Sequence, residues 1–557
     1  MLSVRFNAGG AECGICMRDN QPRENPMPDT TANPDHYLIS ANGKLGASPL
    51  SAVTEVERVM NLAATAAPSN GLVIHFHGGL VSKDYALPNI AGPLTEVYET
   101  AGAYPLFFIW ESGFGEAIWN NKGDLVSDPA FRELVKKVSE WALKKISIRG
   151  AFGFRGAGGQ QIEDIDAFRK EFDKWFDQST AAQTLPPTET TDVDVSPGAT
   201  TKARAATPDE DELAQQINSG LDDDPAFKRA MAAAFNAAMP AEKIATRGVG
   251  VGLGRSQKLL LSSDALDEMF PPEDGVPEAD GKVKSRGVFS WITVAKFVAK
   301  IVIAVIKRFK IDRDHGMYCT VVEEVLRSAY GDLVGAAIWN QMKKDTLDSF
   351  ADGADTCGLA VVKKLKSLEA KGKAFKKLTL VGHSTGAIYI CNFLDVAKKV
   401  GLATPIQVIF LAPAVTCGRF AQAIDDHGNE RLKSFRMFAM KDERETEDEM
   451  LKPLYTRSLL YFVSGLLEGE AVGGGWNSIL DMPLVGMARY YDMSKVFGDD
   501  QAVAKVKAFF NDGAHRMVWS QTLDGADGLN SDAARHGDFD NDEATLKSVS
   551  AIIKNGM

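Results

Sequence analysis

Leu378-Thr379-Leu380-Val381-Gly382-His383-Ser384-Thr385-Gly386-Ala387-Ile388-Tyr389 is the stretch on which the reading of this chain turns. An apolar run stops at Gly382-His383-Ser384-Thr385-Gly386, and a helix-compatible run follows. That G-x-S-x-G spacing predicts a tight turn from strand to helix with Ser384 at its apex. Glycine is needed two places either side of the serine, because side chains there would collide with the neighbouring strand and helix. A pattern this short also arises by chance, so its surroundings decide.

Those surroundings alternate strand and helix. Upstream, Ser3–Asn7 and His36–Ser40 are short strand candidates, and Ala52–Ala66 carries apolar residues at helical spacing. Leu72–Phe76 reads as a buried strand ending in His77-Gly78-Gly79-Leu80, Leu87–Ala101 as a helix and Tyr104–Glu111 as a further strand. The rhythm resumes with a helix over Cys357–Ala370, the strand Lys377–Gly382 and the helix Ala387–Val400. Strands at Ile406–Leu411, Phe435–Met440 and Arg516–Ser520 follow, with helices over Arg419–Asp425 and Asp542–Lys554. The stretch Glu447–Phe510 reads as mostly helical. Apolar strands separated by helices predict an α/β fold, a mostly parallel sheet covered on both faces.

Residues 112–352 interrupt this plan and are expected to form a mainly helical cap, with 1–111 and 353–557 as the two halves of the core. Phe131–Ile148 and Ile162–Phe176 are amphipathic helix candidates. The polar stretches 181–206 and 263–286 are expected to be disordered loops, and Gly248–Gly254 a flexible loop rather than a dinucleotide site. The most hydrophobic segment is 288–310. Lys296 and Lys300 disfavour a membrane span, at roughly 3 kcal/mol each. Two readings stay open: a helix buried in the cap with one solvated lysine edge, or an interfacial lid giving peripheral membrane contact.

With 557 residues the chain has room for a large core. Its net charge of −12 argues against a nucleic-acid partner. Six scattered cysteines and no secretory pattern at Met1–Phe6 lead to the expectation of a reducing, cytoplasmic setting. Cys13-Gly14-Ile15-Cys16 has no second ligand pair, so it reads as two ordinary thiols and no metal is expected.

A nucleophilic serine needs a base, a group that orients the base, and donors for an oxyanion. In a parallel sheet these must come from loops at the carboxyl ends of the strands. Of eight histidines, His536 follows the last strand and is on that edge, whereas His515 and His427 precede strands. Asp442 is the first carboxylate after the Phe435–Met440 strand, with Glu443 and Asp448 as alternatives. The oxyanion donors are expected to be the N–H of Thr385 and one from Gly78, Gly79 or Leu80. His77 is read as pinning its loop, His75 as a buried strand histidine with a hydrogen-bond partner, and His383 as turned away from the chemistry.

The set His77-Gly78-Gly79, Gly382-His383-Ser384-Thr385-Gly386, Asp442 and His536-Gly537-Asp538-Phe539 resembles the serine hydrolases of the α/β-hydrolase superfamily. Residues 36–111 and 353–557 carry the resemblance. Leu80 replaces the third glycine of the HGGG form, and the large insertion comes earlier than the usual cap. The resemblance implies hydrolysis through an acyl-enzyme by Ser384, His536 and Asp442, with no cofactor. The expected substrate is a small-molecule or lipid ester with a hydrophobic acyl group, as for an esterase or lipase. A lipid-surface phospholipase, a thioesterase or amidase, and a non-catalytic binding module are the alternatives.

Overall fold

A computed structural model describes residues 32–45, 52–111, 124–146, 169–170, 172–173, 176, 207–238, 260–271, 290–331, 336–353, 355–428, 430–451, 454–468, 481–492, 494–513 and 515–557. The expectations for Ser3–Asn7, Cys13–Cys16, 181–206 and Gly248–Gly254, and for most of Ile162–Phe176, lie outside these residues.

The core is one eight-stranded sheet in the order β2-β1-β4-β3-β5-β6-β7-β8. Its strands are β1 (Tyr37–Ala41), β2 (Lys44–Leu45), β3 (Leu72–Phe76), β4 (Tyr104–Glu111), β5 (Leu378–His383), β6 (Ile406–Leu411), β7 (Ser434–Met440) and β8 (Met517–Ser520). All pairs are parallel except β1 with β2. The two-residue edge strand β2 was not anticipated, because two residues carry no periodicity. The central strands β3, β5 and β6 are buried at every position. Both their faces are covered, so their sequences are continuous apolar runs rather than alternating ones.

The two faces hold separate cores. On one, Val73, Phe107, Val381, Ile409 and Phe438 pack with residues of α2 (Gly92–Thr100) and of the closing helix, Glu543–Asn555. On the other, Ile74, Phe76, Phe108, Leu380 and Phe410 pack with α1 (Ala52–Ala66) and with helices of the second half of the chain. The expected helix Leu87–Ala101 is divided into a π-helical turn, Leu87–Ala91, and α2.

The insertion is mainly helical among its described residues. It contains α3 (Pro129–Ile146), α4 (Glu210–Gly220), α5 (Pro225–Ala238), α6 (Ser263–Met269), α7 (Trp291–Lys310), α8 (Met317–Ala329) and α9 (Ala336–Asp348). Helix α6 corrects the expected loop over its first residues, Ser263–Met269, while 272–286 lie outside the described residues. Ser262 caps it by accepting from the Ala265 N–H, and Ala265, Leu266 and Met269 are buried at helical spacing. The polar letters between them obscured that short period.

Helix α7 is the hub of the insertion, packed on α3, α4, α6 and α8. Phe297, Val298, Ile301, Val302, Val305 and Ile306 are fully covered by protein. Lys296 pairs with Asp211, and Lys300 with Glu268. Exposing those six apolar side chains would cost on the order of 10 kcal/mol. Membrane contact through 288–310 therefore requires α7 to leave its packing. Among the described residues no helix is long and apolar enough to cross a membrane.

In the second half, α10 (Cys357–Ala370) precedes β5, α11 (Gly386–Lys399) follows the serine turn, and α12 (Cys417–His427) follows β6. Then α13 (Asp442–Glu447) leaves β7, α14 (Gln501–Phe510) precedes β8, and α15 (Glu543–Asn555) closes the chain. The stretch expected to be mostly helical breaks into short pieces at Leu459–Phe462, Val463–Leu467, Arg489–Asp492 and Ser494–Phe497 before α14.

Candidate active site

Ser384 stands at the carboxyl end of the central strand β5 with φ +53°, in the left-handed region that a residue with a Cβ normally avoids. The flanking glycines explain how the turn closes. A Cβ on Gly382 would come within 2.7 Å of the Gly386 carbonyl, and one on Gly386 would overlap the Phe76 carbonyl of β3. The Ser384 N–H donates to Leu411 O at 2.9 Å, and its carbonyl accepts from Ala387 and Ala414. The strained turn is thus held from β6 and from α11.

The His77-Gly78-Gly79-Leu80 strip lies beside it. A Cβ on Gly78 would sit 3.3 Å from Ser384 Cβ; one on Gly79 would sit 3.0 Å from Thr385 Oγ1 and 2.8 Å from the Met342 thioether. Backbone thus approaches the serine closely on this side. Met342 belongs to α9, so a helix of the insertion packs against the glycine strip. His77 pins the strip, as its sequence position suggested. Its Nδ1–H donates to Gly78 O at 2.8 Å, and its Nε2 accepts from the Trp110 N–H at 3.1 Å. Burial pushes its imidazole down to about 4, although the Gly78 hydrogen bond works against this. His75 is a buried strand histidine whose Nδ1 pairs with Tyr98 Oη at 2.8 Å.

His536 lies in the loop after β8, buried, with its ring against that of His383 at a centroid separation of 5.3 Å. Neither of its ring nitrogens has a hydrogen-bond partner. Burial, and next the neighbouring His383, hold it well below the usual histidine range. A buried imidazole with two idle nitrogens forfeits roughly 1–3 kcal/mol for each, which calls for a functional reason.

The backbone of His536, by contrast, is fixed on both sides. Its N–H donates to Asp448 Oδ2 at 2.8 Å, and its carbonyl accepts from His383 Nε2 at 2.9 Å. Arg444 of α13 donates to the carbonyls of Asp532 and Ala533, just before it.

Asp442 is not paired with His536. Its Oδ1 accepts from Tyr461 Oη at 2.7 Å, and Arg489 stacks on that tyrosine ring. The physical reason is α13, which starts at Asp442 and carries the chain onward before it returns at Asp448. Being first after the strand therefore does not make a carboxylate nearest. Asp448 is the acidic residue that meets the His536 loop, and burial raises its carboxyl to about 6 against the effect of that N–H.

The imidazole of His383 is the feature that sequence reasoning missed. Besides the His536 carbonyl it meets Asp540 Oδ2 through Nδ1 at 3.3 Å. Nothing in the sequence links positions so far apart. Asp540 is buried, and although burial opposes its charge, His383 outweighs this and lowers its carboxyl below the usual range. Among the described residues no group of three or more His, Cys, Asp or Glu side chains is arranged to hold a metal ion.

Comparison with protein-family models, with curated proteins and with solved structures finds no match to this chain.

Proposed function

We propose that this protein is a serine hydrolase of the α/β-hydrolase type that cleaves carboxylic esters through an acyl-enzyme. The observation that carries the reading is Ser384 at positive φ on the central strand's carboxyl end, with a glycine strip on one side and, in the loop after β8, His536 with both ring nitrogens unpartnered.

In this mechanism Ser384 Oγ attacks the ester carbonyl carbon while His536 takes the hydroxyl proton. The oxyanion of the tetrahedral intermediate is met by the N–H of Thr385 and by one from Gly78, Gly79 or Leu80. Each such donor is worth roughly 3 kcal/mol of barrier. His536 returns the proton to the leaving alkoxide, which departs as an alcohol. Water, deprotonated by His536, then attacks the acyl carbon, and His536 returns that proton to Ser384 Oγ as the serine ester bond breaks and the acid leaves. Asp448 is favoured over Asp442 as the carboxylate that orients the ring, because it already holds the His536 backbone. The idle ring nitrogens fit a resting state, since catalytic hydrogen bonds often tighten only when substrate is bound.

The Met342 side chain buried against Gly79 is apolar, in keeping with the hydrophobic ester expected from the sequence. The test is a p-nitrophenyl ester series of increasing acyl length. Turnover by the wild type that is lost in S384A supports the reading. Turnover that persists in S384A contradicts it.

A further inference from the structure

Two charged groups lie beside the proposed base without a part in the proton transfers above. His383 precedes Ser384, and its ring lies between Asp540 and His536. Its Nε2 faces a backbone carbonyl, which can only accept, so Nε2 carries a hydrogen. Its Nδ1 faces a carboxylate oxygen, also an acceptor. A ring that donates from both nitrogens is an imidazolium.

We propose that His383 and Asp540 form a charged positioning pair that ties the loop of His536 to the serine turn and sets a cation against the face of the His536 ring. This rests on the reading of His536 as the base. The pair has a mechanical side, the 2.9 Å hydrogen bond to the His536 carbonyl. Its electrical side is the ring contact at 5.3 Å, which opposes a second positive charge on His536. A base must be neutral to accept a proton, so this cation extends the working range of His536 toward acid.

The other groups around the pair are compatible with this. From β3 and the strip after it, His75 and His77 face it, and burial keeps both low, His75 to about 3 and His77 to about 4. From the first helical turns after β3 and from α2, Tyr85 and Tyr98 feel the Asp540 charge and are raised, by burial first and then by that carboxylate. From the loop after β8, Asp538 adds a weaker negative influence on His383, as Asp540 does more strongly. Burial works against the charge on His383, yet these carboxylates and the His536 carbonyl raise it overall.

The test uses full-length protein labelled at histidine Cε1 with carbon-13, in wild-type, H383Q and D540N forms, titrated from acid to base by NMR. The rate of fluorophosphonate labelling of Ser384 is followed in parallel. In wild-type protein the His383 signal is expected to be cationic at neutral pH, and in D540N it becomes neutral there. In H383Q the His536 midpoint moves up by about one pH unit, a tenfold change in proton affinity, while the acid limb of labelling is shared with Asp448, which takes up its proton near 6. A merely structural role for His383 would slow labelling equally at all pH values without moving either midpoint. A neutral His383 in the wild type at pH 7, or an unmoved His536 midpoint in folded H383Q, overturns the proposal. Absence of labelling at every pH would instead remove the hydrolase reading, while the two NMR midpoints would still decide the pair.

Discussion

His383 donates through Nε2 to the backbone carbonyl of His536 at 2.9 Å, so the residue beside the proposed nucleophile holds the proposed base by its main chain. The Asp448 carboxylate holds the same residue by its N–H. The His536 ring is thereby placed by fixed backbone and by its stacking on His383, with no hydrogen bond of its own. Its two ring nitrogens are buried without hydrogen-bond partners.

That arrangement separates the two candidate acids. D448A is expected to lower kcat/KM by on the order of 10³-fold, as loss of an orienting carboxylate does. D442A is expected to cost less than tenfold and to act through stability, since it strands the Tyr461 hydroxyl. Ester kinetics and urea melts on both variants distinguish the outcomes. The raised Asp448 carboxyl adds a pH signature: activity falls as the pH drops through about 6, where this acid takes up its proton. The sign for stability is the reverse. The folded state binds that proton more tightly than the unfolded chain, so Asp448 contributes less to stability as the pH rises from 4 to 6. D448N is accordingly expected to be no less stable than wild type at pH 7.

Ser384 is strained for the sake of its position. A non-glycine residue in the left-handed region costs roughly 1–2 kcal/mol, and glycine recovers this less its own chain entropy. S384G is therefore expected to be inactive and more stable by about 0.5–1 kcal/mol, while S384A is inactive without that gain. Equilibrium urea unfolding of the three proteins measures it.

The contact between the insertion and the glycine strip is testable by a double-mutant cycle. In G79A the new methyl meets the Met342 thioether, the flexible end of a side chain, and Thr385 Oγ1. G79A alone is expected to be destabilised and slow. Removing the clash with M342A should restore part of both, with a coupling of about 0.5–3 kcal/mol between the sites. Strictly additive effects would mean that α9 does not bear on the strip.

Acid should loosen the fold through His77. Its folded value of about 4 lies below that of the unfolded chain, so its contribution is complete above about 6.5 and is lost as the pH falls from there to 4. The loss totals roughly 3 kcal/mol at about 1.4 kcal/mol per pH unit. H77Q should flatten the dependence of unfolding free energy on pH in that window by about one proton, as measured by urea melts at half-unit steps.

The sheet was legible in the sequence because β3, β5 and β6 are buried on both faces and are followed within two residues by the small residues Gly78, Ser384 and Ala412. Ala52–Ala66, Leu72–Phe76, Tyr104–Glu111, Cys357–Ala370 and Ile406–Leu411 agree with the structure at both ends. The insertion was harder to read because its helices bury themselves against one another. Helix α7, apolar on most sides, resembles a lipid-seeking segment until its neighbours are known. In the site, local chemistry reveals Ser384, its glycines and the His77 strip, all within a few residues of a strand end. The roles of Asp448, His383 and Asp540 depend on how a short helix and a returning loop bring distant residues together, and no spacing rule encodes that.

The central claim is that Ser384 is a nucleophile activated by its surroundings, and the direct test is mass spectrometry after exposure to a fluorophosphonate. The account predicts one adduct, on Ser384 in the Leu378–Tyr389 stretch of folded protein. The adduct should be absent from S384A and from heat-unfolded protein, and its formation slowed at least a hundredfold, about 3 kcal/mol, in H536A. Folded wild-type protein that gains no adduct on Ser384, or that labels equally fast without His536, would contradict it.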